Sequence, residues 1–594
     1  MKKILIANRG EIAIRIARSC QDLGIKTVGI FSQDDSKSLH LSKVDEAYEV
    51  EGKGASAYLN IKEIISIAKE AKVDAVHPGY GFLSENPKFV SALKRSKIKF
   101  IGPNERALKV FGDKTAAKAL AAELSVPIIL GTSSKTNLKQ AETFFKGLKK
   151  NSSLLIKAIS GGGGRGMRVV SKLADLKEAF ERASSEAKAS FDSPDLYVEE
   201  FLKDYRHIEI QILGDGSGNV IHLHERECSI QRRHQKLIEI APSPSLNQDL
   251  KKRMIDASLA LGKKIKYEGL ATIEFLVNVE KEDFRFIECN PRLQVEHTVT
   301  ESITSLDLVK LQIQIASGKS LTQLKLNQDQ IKEPRGFAIQ SRVNMETIGK
   351  DGNANPGGGI FESFDLPSGP NVRADSYGYS GYETNPLFDS LIAKIITYSS
   401  EDNYKQACKR NYRSLCEFKI IGVPTNIEIL KNLFVNKEFL NNKVHTNFFE
   451  NNLEDLLSPH NHSDLLDITR SISQKEIQRG KIEDLDPLAV LDHGKSGGVF
   501  VDQSENILEL KKIKLQEGYK SVEAPMQGMI VNFDVNVGDK VWEGKTLGIM
   551  EAMKMEHEIV SSVSGTVDAI NVSNMDTVFE GHSLMTIKLG EVTK

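Results

Sequence analysis

Surplus charge is the first thing this chain lacks. Its 79 Lys and Arg nearly cancel 80 Asp and Glu, for a formal net charge of −1 over 594 residues. No global field therefore exists to hold nucleic acid or an anionic membrane, and partners must be recognised locally. Cysteine is scarce as well. Cys20, Cys228, Cys289, Cys408 and Cys416 are odd in number, scattered and never in a CxxC pair, which predicts reduced thiols in a cytoplasmic protein and argues against a zinc site. The opening MKKILIANRGEIAIR has no long apolar run, since charges interrupt it almost at once; it reads as neither a signal peptide nor a membrane span. A Walker loop is also missing. The Gly-Lys-Ser matches at Gly318 and Gly494 carry Ile313 and Ala489 where that motif needs glycine, so both are chance matches.

With 40% hydrophobic and 27% charged residues, the composition is that of a soluble globular protein. The length is too great for one core and suggests roughly four domains. Lys3 to Ala7 reads as a strand and Asn8-Arg9-Gly10 as a turn. Ile12, Ala13, Ile16, Ala17, Cys20 and Leu23 then fall at helical spacing before a second strand, Val28 to Phe31, a βαβ opening that implies a parallel sheet. Gly161 to Gly164 and Gly166 lie between strand-forming residues, Leu154, Leu155 and Ile156 on one side and Met167, Val169 and Val170 on the other. That favours a glycine-rich hairpin over a flexible linker. Its backbone N–H groups can line a polyphosphate, with Lys114 and Lys157 as neutralising cations.

The richest chemistry lies between Ile273 and His297. Ile273, Phe275, Val277 and Val279 alternate with polar neighbours, and a second alternating run begins at Phe284. A hairpin centred on Lys281 sets Glu274 opposite Glu288 with Cβ atoms about 5 Å apart; a loop one residue different sets Cys289 there instead. Two such carboxylates repel, and a shared proton or a bound cation relieves them. Asn290 adds a third hard oxygen that suits Mg²⁺. A merely solvated strand face is the alternative. If the strand persists, Glu288, Asn290, Arg292, Gln294 and Glu296 share one face.

Near the C-terminus the chain repeats itself: Gly528, Val541, Gly544 and Leu547 recur 37 residues later as Gly565, Val578, Gly581 and Leu584. Gly538-Asp539 is answered by Met575-Asp576, so the second turn lacks its glycine. Lys554 sits where the halves meet, between Met553 and Met555. It reads either as an ordinary surface lysine or, given two flanking methionines on an exposed hairpin tip, as a recognised one. Residues 451–519 read as a partly folded connector with strand-like alternation from Gly498 to Leu515. Fully flexible, it spans about 45 Å root mean square. His460 and His462, in a Ser/Pro/Asp-rich stretch, are expected to be solvated and to bind no metal.

Glu551-Ala552-Met553-Lys554-Met555 resembles the biotin attachment site of biotin carboxyl carrier domains; lipoyl domains normally have Asp before and Ala after the lysine. Asp74 to Asn86 (DAVHPGYGFLSEN) resembles the first domain of biotin carboxylases, and the match runs to about residue 450. Tyr197 to Leu202 (YVEEFL) resembles that family's adenine-contacting segment, NPRLQVEH its bicarbonate and biotin site, and Arg232 to Lys236 the facing segment. Pro291 stands where the family commonly has Thr.

The resemblance implies an α/β fold with ATP-grasp (α+β) domains. Its parts are a Rossmann-like N-terminal domain (1–113), a lid (114–203), the remaining ATP-grasp and carboxylase C-terminal region (204–450), the connector (451–519) and an all-β flattened-barrel biotinyl domain (520–590). It implies ATP contacts from Lys114, Lys157, Gly162, Gly163, Gly164, Met167, Glu199, Leu202, His207, Gln231, His234 and Leu276. Glu274, Glu288 and Asn290 are the implied ligands of Mg²⁺ or Mn²⁺. Lys236, Arg292, Gln294 and the Val295 backbone are implied to hold bicarbonate, Glu296 to take its proton, and Arg342 to stabilise the enolate form of biotin.

The implied activity is ATP-dependent carboxylation of biotin on Lys554, in the biotin-containing α subunit of an acetyl- or propionyl-CoA type carboxylase. A pyruvate or other keto-acid carboxylase subunit, a non-catalytic carrier and a carbamoyl phosphate synthase relative are the alternatives. Expected partners are a separate carboxyltransferase (β) subunit, since no remaining segment reads as one, a biotin protein ligase and further copies of the carboxylase domain. Neither nucleic acid nor membrane is expected.

Overall fold

The computed structural model describes residues 1–132, 135–149, 152–159, 167–191, 193–460, 462, 518–552 and 555–590. They fall into two compact units, 1–462 and 463–594. Gly162, Gly163, Gly164, Lys554 and the stretch from Gly498 to Leu515 lie outside the described residues. Among the described residues no helix is long and apolar enough to cross a membrane.

The first unit begins with the expected βαβ motif. Lys3–Ile6 pairs in parallel with Lys26–Ser32 and Ala75–His77, and Glu46–Val50 and Lys99–Phe100 complete a five-stranded sheet. Ile4, Leu5 and Ile6 are buried on both faces, as a helix-covered parallel strand requires. The strand order reverses beside Lys3–Ile6, where open α/β sheets usually bind ligands. Across that point Asn8 Nδ2 donates to the carbonyls of Pro78 (2.7 Å) and Tyr80 (2.8 Å). The Arg9 guanidinium lies 3.9 Å from the Phe388 ring centroid and 5.0 Å from that of Tyr377, and it pairs with Asp35 at 2.6 Å.

An eight-stranded antiparallel sheet forms the body. Its order is Asp283–Asn290, Glu268–Asn278, Arg206–Asp215, Val220–Arg232, Gln235–Ala241, Phe337–Asn344, Leu391–Ser399 and Val372–Ser376. Above it a small antiparallel sheet (Arg168–Val170, Ser153–Ala158, Leu196–Phe201) packs with the helices Leu138–Gly147 and Leu176–Phe191 around Leu154, Ile156, Ala183 and Val198. That core lies within the segment expected to form the lid. The helix Lys114–Glu123 does not join it and buries Ala117 and Ala121 with Ile208 and Phe275 of the body.

Packing on the body also continues past residue 450. Residues 451–462 pack on the body: Leu456 is buried, and Asn432 Nδ2 donates to the carbonyls of Leu456 (2.8 Å) and Ser458 (3.2 Å). His462 is not solvated. Only 3% of its side chain is exposed, Nε2 donates to Asn432 Oδ1 at 2.7 Å, and Nδ1 lies 3.0 Å from the Tyr412 hydroxyl. His460 is exposed, as expected.

The second unit contains two four-stranded sheets, Tyr519–Glu523, Ser583–Leu589, Gly565–Ile570, Lys540–Val541 and Met555–Val560, Thr546–Ala552, Gly528–Phe533, Thr577–Val578. Ile530, Val541, Leu547, Val567, Val578 and Leu584 form the core between them. The sequence repeat is a structural one. Gly538 N–H donates to the Val567 carbonyl (2.8 Å) and Met575 N–H to that of Ile530 (2.7 Å); Asp539 and Asp576 each accept a backbone N–H at 2.8 Å. The turn survives the loss of its glycine because Met575 takes the left-handed conformation itself, φ +71° against +97° at Gly538. That conformation costs an L-residue about 1–2 kcal/mol, partly offset by the lower unfolded-state entropy of a non-glycine.

Two predictions follow from these packings. Met575→Gly raises the stability of the second unit by about 0.5–1 kcal/mol, seen as an upward shift of its unfolding midpoint; an unchanged midpoint rejects strain at this turn. Secondly, burial holds the His40 imidazole down to about 4 and that of His77 to about 3. Each ring uses one nitrogen as an acceptor, His40 Nδ1 from Ser38 and His77 Nδ1 from Gly79 N–H. Below about pH 6.5 the unfolded chain takes up protons that these folded histidines refuse, so stability falls by up to about 1.4 kcal/mol per pH unit for each. Urea midpoints measured from pH 7 to 4.5 should decline accordingly, and a flat profile contradicts it.

Candidate active site

The hairpin near the lid carries the pair expected from sequence, by a different route. From the tip, Asn278 pairs with Asp283 and Phe275 with Phe286, a register that is not centred on Lys281 and would bring Ile287 opposite Glu274. A bulge then inserts one residue, and Glu274 faces Glu288 with Thr272 opposite Asn290. The Glu274 face is buried, not solvated. Its Oε1 accepts from Asn290 Nδ2 (2.8 Å), Gln294 Nε2 (3.0 Å) and Lys236 Nζ (3.2 Å), and His207 Nε2 lies 3.0 Å from Oε2. Lys114 stands 3.3 Å from Glu288. Burial alone would hold a proton on Glu274, but Lys236 and then His207 outweigh it and keep the carboxyl ionised well below its usual range. Cations, not a shared proton, relieve the repulsion.

The strand does not persist to Glu296. It ends at Asn290, where Pro291 follows, and residues 291–296 form a turn into the helix His297–Thr304. The five polar residues still converge, because the turn folds back over the sheet. Arg292 pairs through Nε with Glu85 and donates through Nη2 to Asn290 Oδ1 at 3.1 Å. Lys236 is the hub, with Glu296 at 2.6 Å, Glu209 at 2.7 Å and Glu274 at 3.2 Å. Arg342 binds Glu239 and reaches Glu296 Oε2 at 3.1 Å. Burial opposes ionisation of Glu296, but Lys236, Arg342 and Arg226 together depress it far below an ordinary glutamate.

Beneath this layer, fully buried Arg226 joins Glu209 to Gln211 (2.8 Å), Thr272 (2.9 Å), Thr300 (2.9 Å) and Gln294 (3.1 Å). Glu85, Glu209, Arg226 and Glu239 were not foreseen. For Glu209 a signal existed: His207, Glu209 and Gln211 alternate with Ile208, Ile210 and Ile212, a polar face that the sheet turns inward.

On the lid side, Glu199 is buried and its carboxylate is gripped by Lys118 and Lys157, which overcome burial and lower it to about 2. Lys118 was missed. Met167 and Leu202 are half-buried at the ends of lid strands. Leu276 is in register with His207, and Gln231 Nε2 lies 2.7 Å from His207 Nδ1. His234 adopts φ +67° and is exposed to solvent.

The donor set Glu274, Glu288 and Asn290, hard oxygens on two paired strands, fits a magnesium ion. The clusters His207, Glu209, Glu274 and Glu209, Cys228, Glu296 also bring ligand atoms within 4.8 Å. Their imidazole and thiol suit softer metals.

Because Lys236 neutralises three buried carboxylates, Lys236→Met should lower unfolding free energy at pH 7 by about 3–5 kcal/mol. Glu274 and Glu296, depressed in the folded state, contribute stability present above about pH 4.5 and lost as pH falls. The deficit should therefore shrink toward pH 4 as the stranded carboxylates protonate. A pH-independent deficit in urea denaturation contradicts this.

Known proteins share this architecture. Family models match residues 1–108 (biotin carboxylase, N-terminal domain), 113–324 (carbamoyl-phosphate synthase L chain, ATP binding domain), 340–451 (biotin carboxylase C-terminal domain) and 520–587 (biotin-requiring enzyme). Pyruvate carboxylase of Bacillus subtilis is 45% identical over 455 residues, 76% of this chain and 39% of that protein. The chain thus spans about two fifths of the length of the curated relatives it matches. The biotin carboxylase domain of Hydrogenobacter thermophilus 2-oxoglutarate carboxylase is 39% identical with a TM-score of 0.74, covering 77% of this chain and 99% of that one. A single-chain, multi-domain long-chain acyl-CoA carboxylase is 32% identical with a TM-score of 0.68, covering all of this chain and 51% of that one. This chain belongs to the biotin carboxylase family and carries its own biotin carrier domain.

Proposed function

We propose that the chain performs the first half-reaction of a 2-oxo-acid carboxylase: bicarbonate, activated by ATP, carboxylates the carrier's prosthetic group, and a carboxyltransferase subunit passes the carboxyl group on. The observation that carries it is the Lys236 hub, which holds a base, Glu296, beside the cations and amides an oxyanion needs. In the Hydrogenobacter thermophilus neighbour the corresponding domain binds MgADP, ADP and bicarbonate.

Lys236, Arg292, Gln294 and the Val295 N–H receive bicarbonate. As Lys236 turns to the incoming anion, Glu296 loses its strongest partner, its basicity rises, and it takes the proton. The nucleophile then attacks the γ-phosphate, releasing ADP and forming carboxyphosphate, while Lys114 and Lys157 neutralise the phosphates. Magnesium held by Glu274, Glu288 and Asn290 supplies further neutralisation of the nucleotide's charge. With biotin attached to Lys554 by a biotin protein ligase, cleavage of the carboxyphosphate C–O bond would pass the carboxyl group as CO₂ to the ureido nitrogen, the departing phosphate would take that nitrogen's proton, and Arg342 would offer a cation to the ureido oxygen. Pairing of carboxylase domains and a cytoplasmic setting complete the reading.

The acceptor proposed here is the alternative weighed from sequence, a keto acid, rather than the acyl-CoA placed first there. Curated relatives 45% identical over 76% of this chain are pyruvate carboxylases, and the Hydrogenobacter thermophilus neighbour comes from a 2-oxoglutarate carboxylase; both names favour a 2-oxo acid. An acyl-CoA remains the second reading, because the long-chain acyl-CoA carboxylase matches the full chain, tail included. Biotinylated protein, co-purified with its carboxyltransferase, should fix labelled bicarbonate onto pyruvate or 2-oxoglutarate. Fixation onto acetyl- or propionyl-CoA instead selects the second reading. Glu296→Gln should lower bicarbonate-dependent ADP release about 10²–10⁴-fold with the KM for MgATP little changed; full activity in this variant removes Glu296 as the base.

A further inference from the structure

Lys394, in the strand Leu391–Ser399, is 0% exposed, yet it is an ammonium with a task. Nζ lies 3.0 Å from Glu11 Oε2 on the first helix, 3.9 Å from Asp375 Oδ2 on the neighbouring strand, and donates at 3.2 Å to the Val295 carbonyl. That carbonyl and the Glu296 N–H are two ends of one planar peptide group, so holding the oxygen fixes the plane from which Glu296 projects. Glu296 needs such help. It caps the helix His297–Thr304 without a side-chain capping bond, because its carboxylate faces Lys236 and Arg342, and its backbone (φ −86°, ψ 9°) lies in the sparsely populated bridge region. The preceding peptide is held in the same way: the Gln294 carbonyl accepts from His297 Nδ1 at 2.7 Å. Lys394 and Arg342 are also paired residues of adjacent strands, so one rung of the ladder grips Glu296 by its carboxylate from one strand and by its peptide from the next.

We infer that Lys394, anchored by Glu11 and Asp375, is a positioning residue that holds the 295–296 peptide so that Glu296 meets bicarbonate in register, tying the first domain to the catalytic base. The inference rests on the reading of Glu296 as base. Lys394→Met strands Glu11 and Asp375, so the double variant Lys394→Met/Glu11→Gln accompanies it, both in the full chain. Biotin-stimulated ADP release should fall about tenfold or more in kcat, since small displacements of a reacting group are costly, with the KM for MgATP within about twofold and partial rescue by Lys394→Arg. Hydrogen exchange should quicken selectively across residues 291–304. A folded double variant with wild-type kcat, or exchange that quickens equally throughout the first unit, overturns the inference. Should the wild type itself lack biotin-stimulated ADP release, the proposed function fails, and the exchange pattern alone still decides whether Lys394 holds this turn.

Discussion

One ammonium, that of Lys236, keeps three buried carboxylates from one another: Glu209, Glu274 and Glu296 all lie within 3.2 Å of it. Arg226 and Arg342 supply the remaining positive charge, and Glu239 the fourth carboxylate. Such an assembly is poor material for stability, since well-packed apolar side chains of similar volume commonly do as well or better. What it provides is charge already stripped of water and aimed inward, able to exchange an internal partner for an incoming anion with little reorganisation. The antiparallel sheet makes this possible. Alternate residues of adjacent strands share a face, so His207, Lys236, Glu274 and Arg342 reach one locus from four different strands.

Much of this was legible because polar residues at two-residue spacing among Ile, Val and Phe are conspicuous in a strand. The opposition of Glu274 and Glu288 was read correctly, although the bulge that produces it was invisible: nothing in Phe286-Ile287-Glu288 marks Ile287 as the extra residue. The extension of that strand to Glu296 was wrong for a local reason. Pro291 cannot donate to a ladder and ends the strand, and the same residues reach the site through a turn instead. Glu85, Glu239 and Arg226 stayed hidden because their partners lie far away in sequence, Glu85 meeting Arg292 across domains. No periodicity encodes such a meeting. That the helix Lys114–Glu123 packs on the body was equally hidden, since Ala117 and Ala121 look the same whichever core they join.

The second unit shows a repeat enforcing its own geometry. Each half supplies the hydrogen bonds that close the other: Gly538 N–H to Val567 and Met575 N–H to Ile530. Met575 must therefore follow the path that Gly538 takes freely, at the expense of its own backbone preference. The conformation is dictated by the partner half rather than by the residue, which is why the turn persists although its glycine is missing.

The division of labour between carboxylase and acceptor chemistry follows from what the hub can and cannot do. At rest Glu296 is a very weak base, because Lys236 and Arg342 both hold its charge. A base so restrained does not deprotonate whatever diffuses in; water brings no negative charge to draw Lys236 away. Bicarbonate does. In the proposed reaction, proton removal is thus coupled to occupancy by the correct anion, which spares ATP from attack by solvent while the site waits. Nothing in this proposed exchange involves the final acceptor, which accords with relatives whose names specify 2-oxo acids and an acyl-CoA alike. In that reading the acceptor is chosen where the carrier delivers its load, and the carboxylase half needs only to recognise an anion, a nucleotide and the carried group.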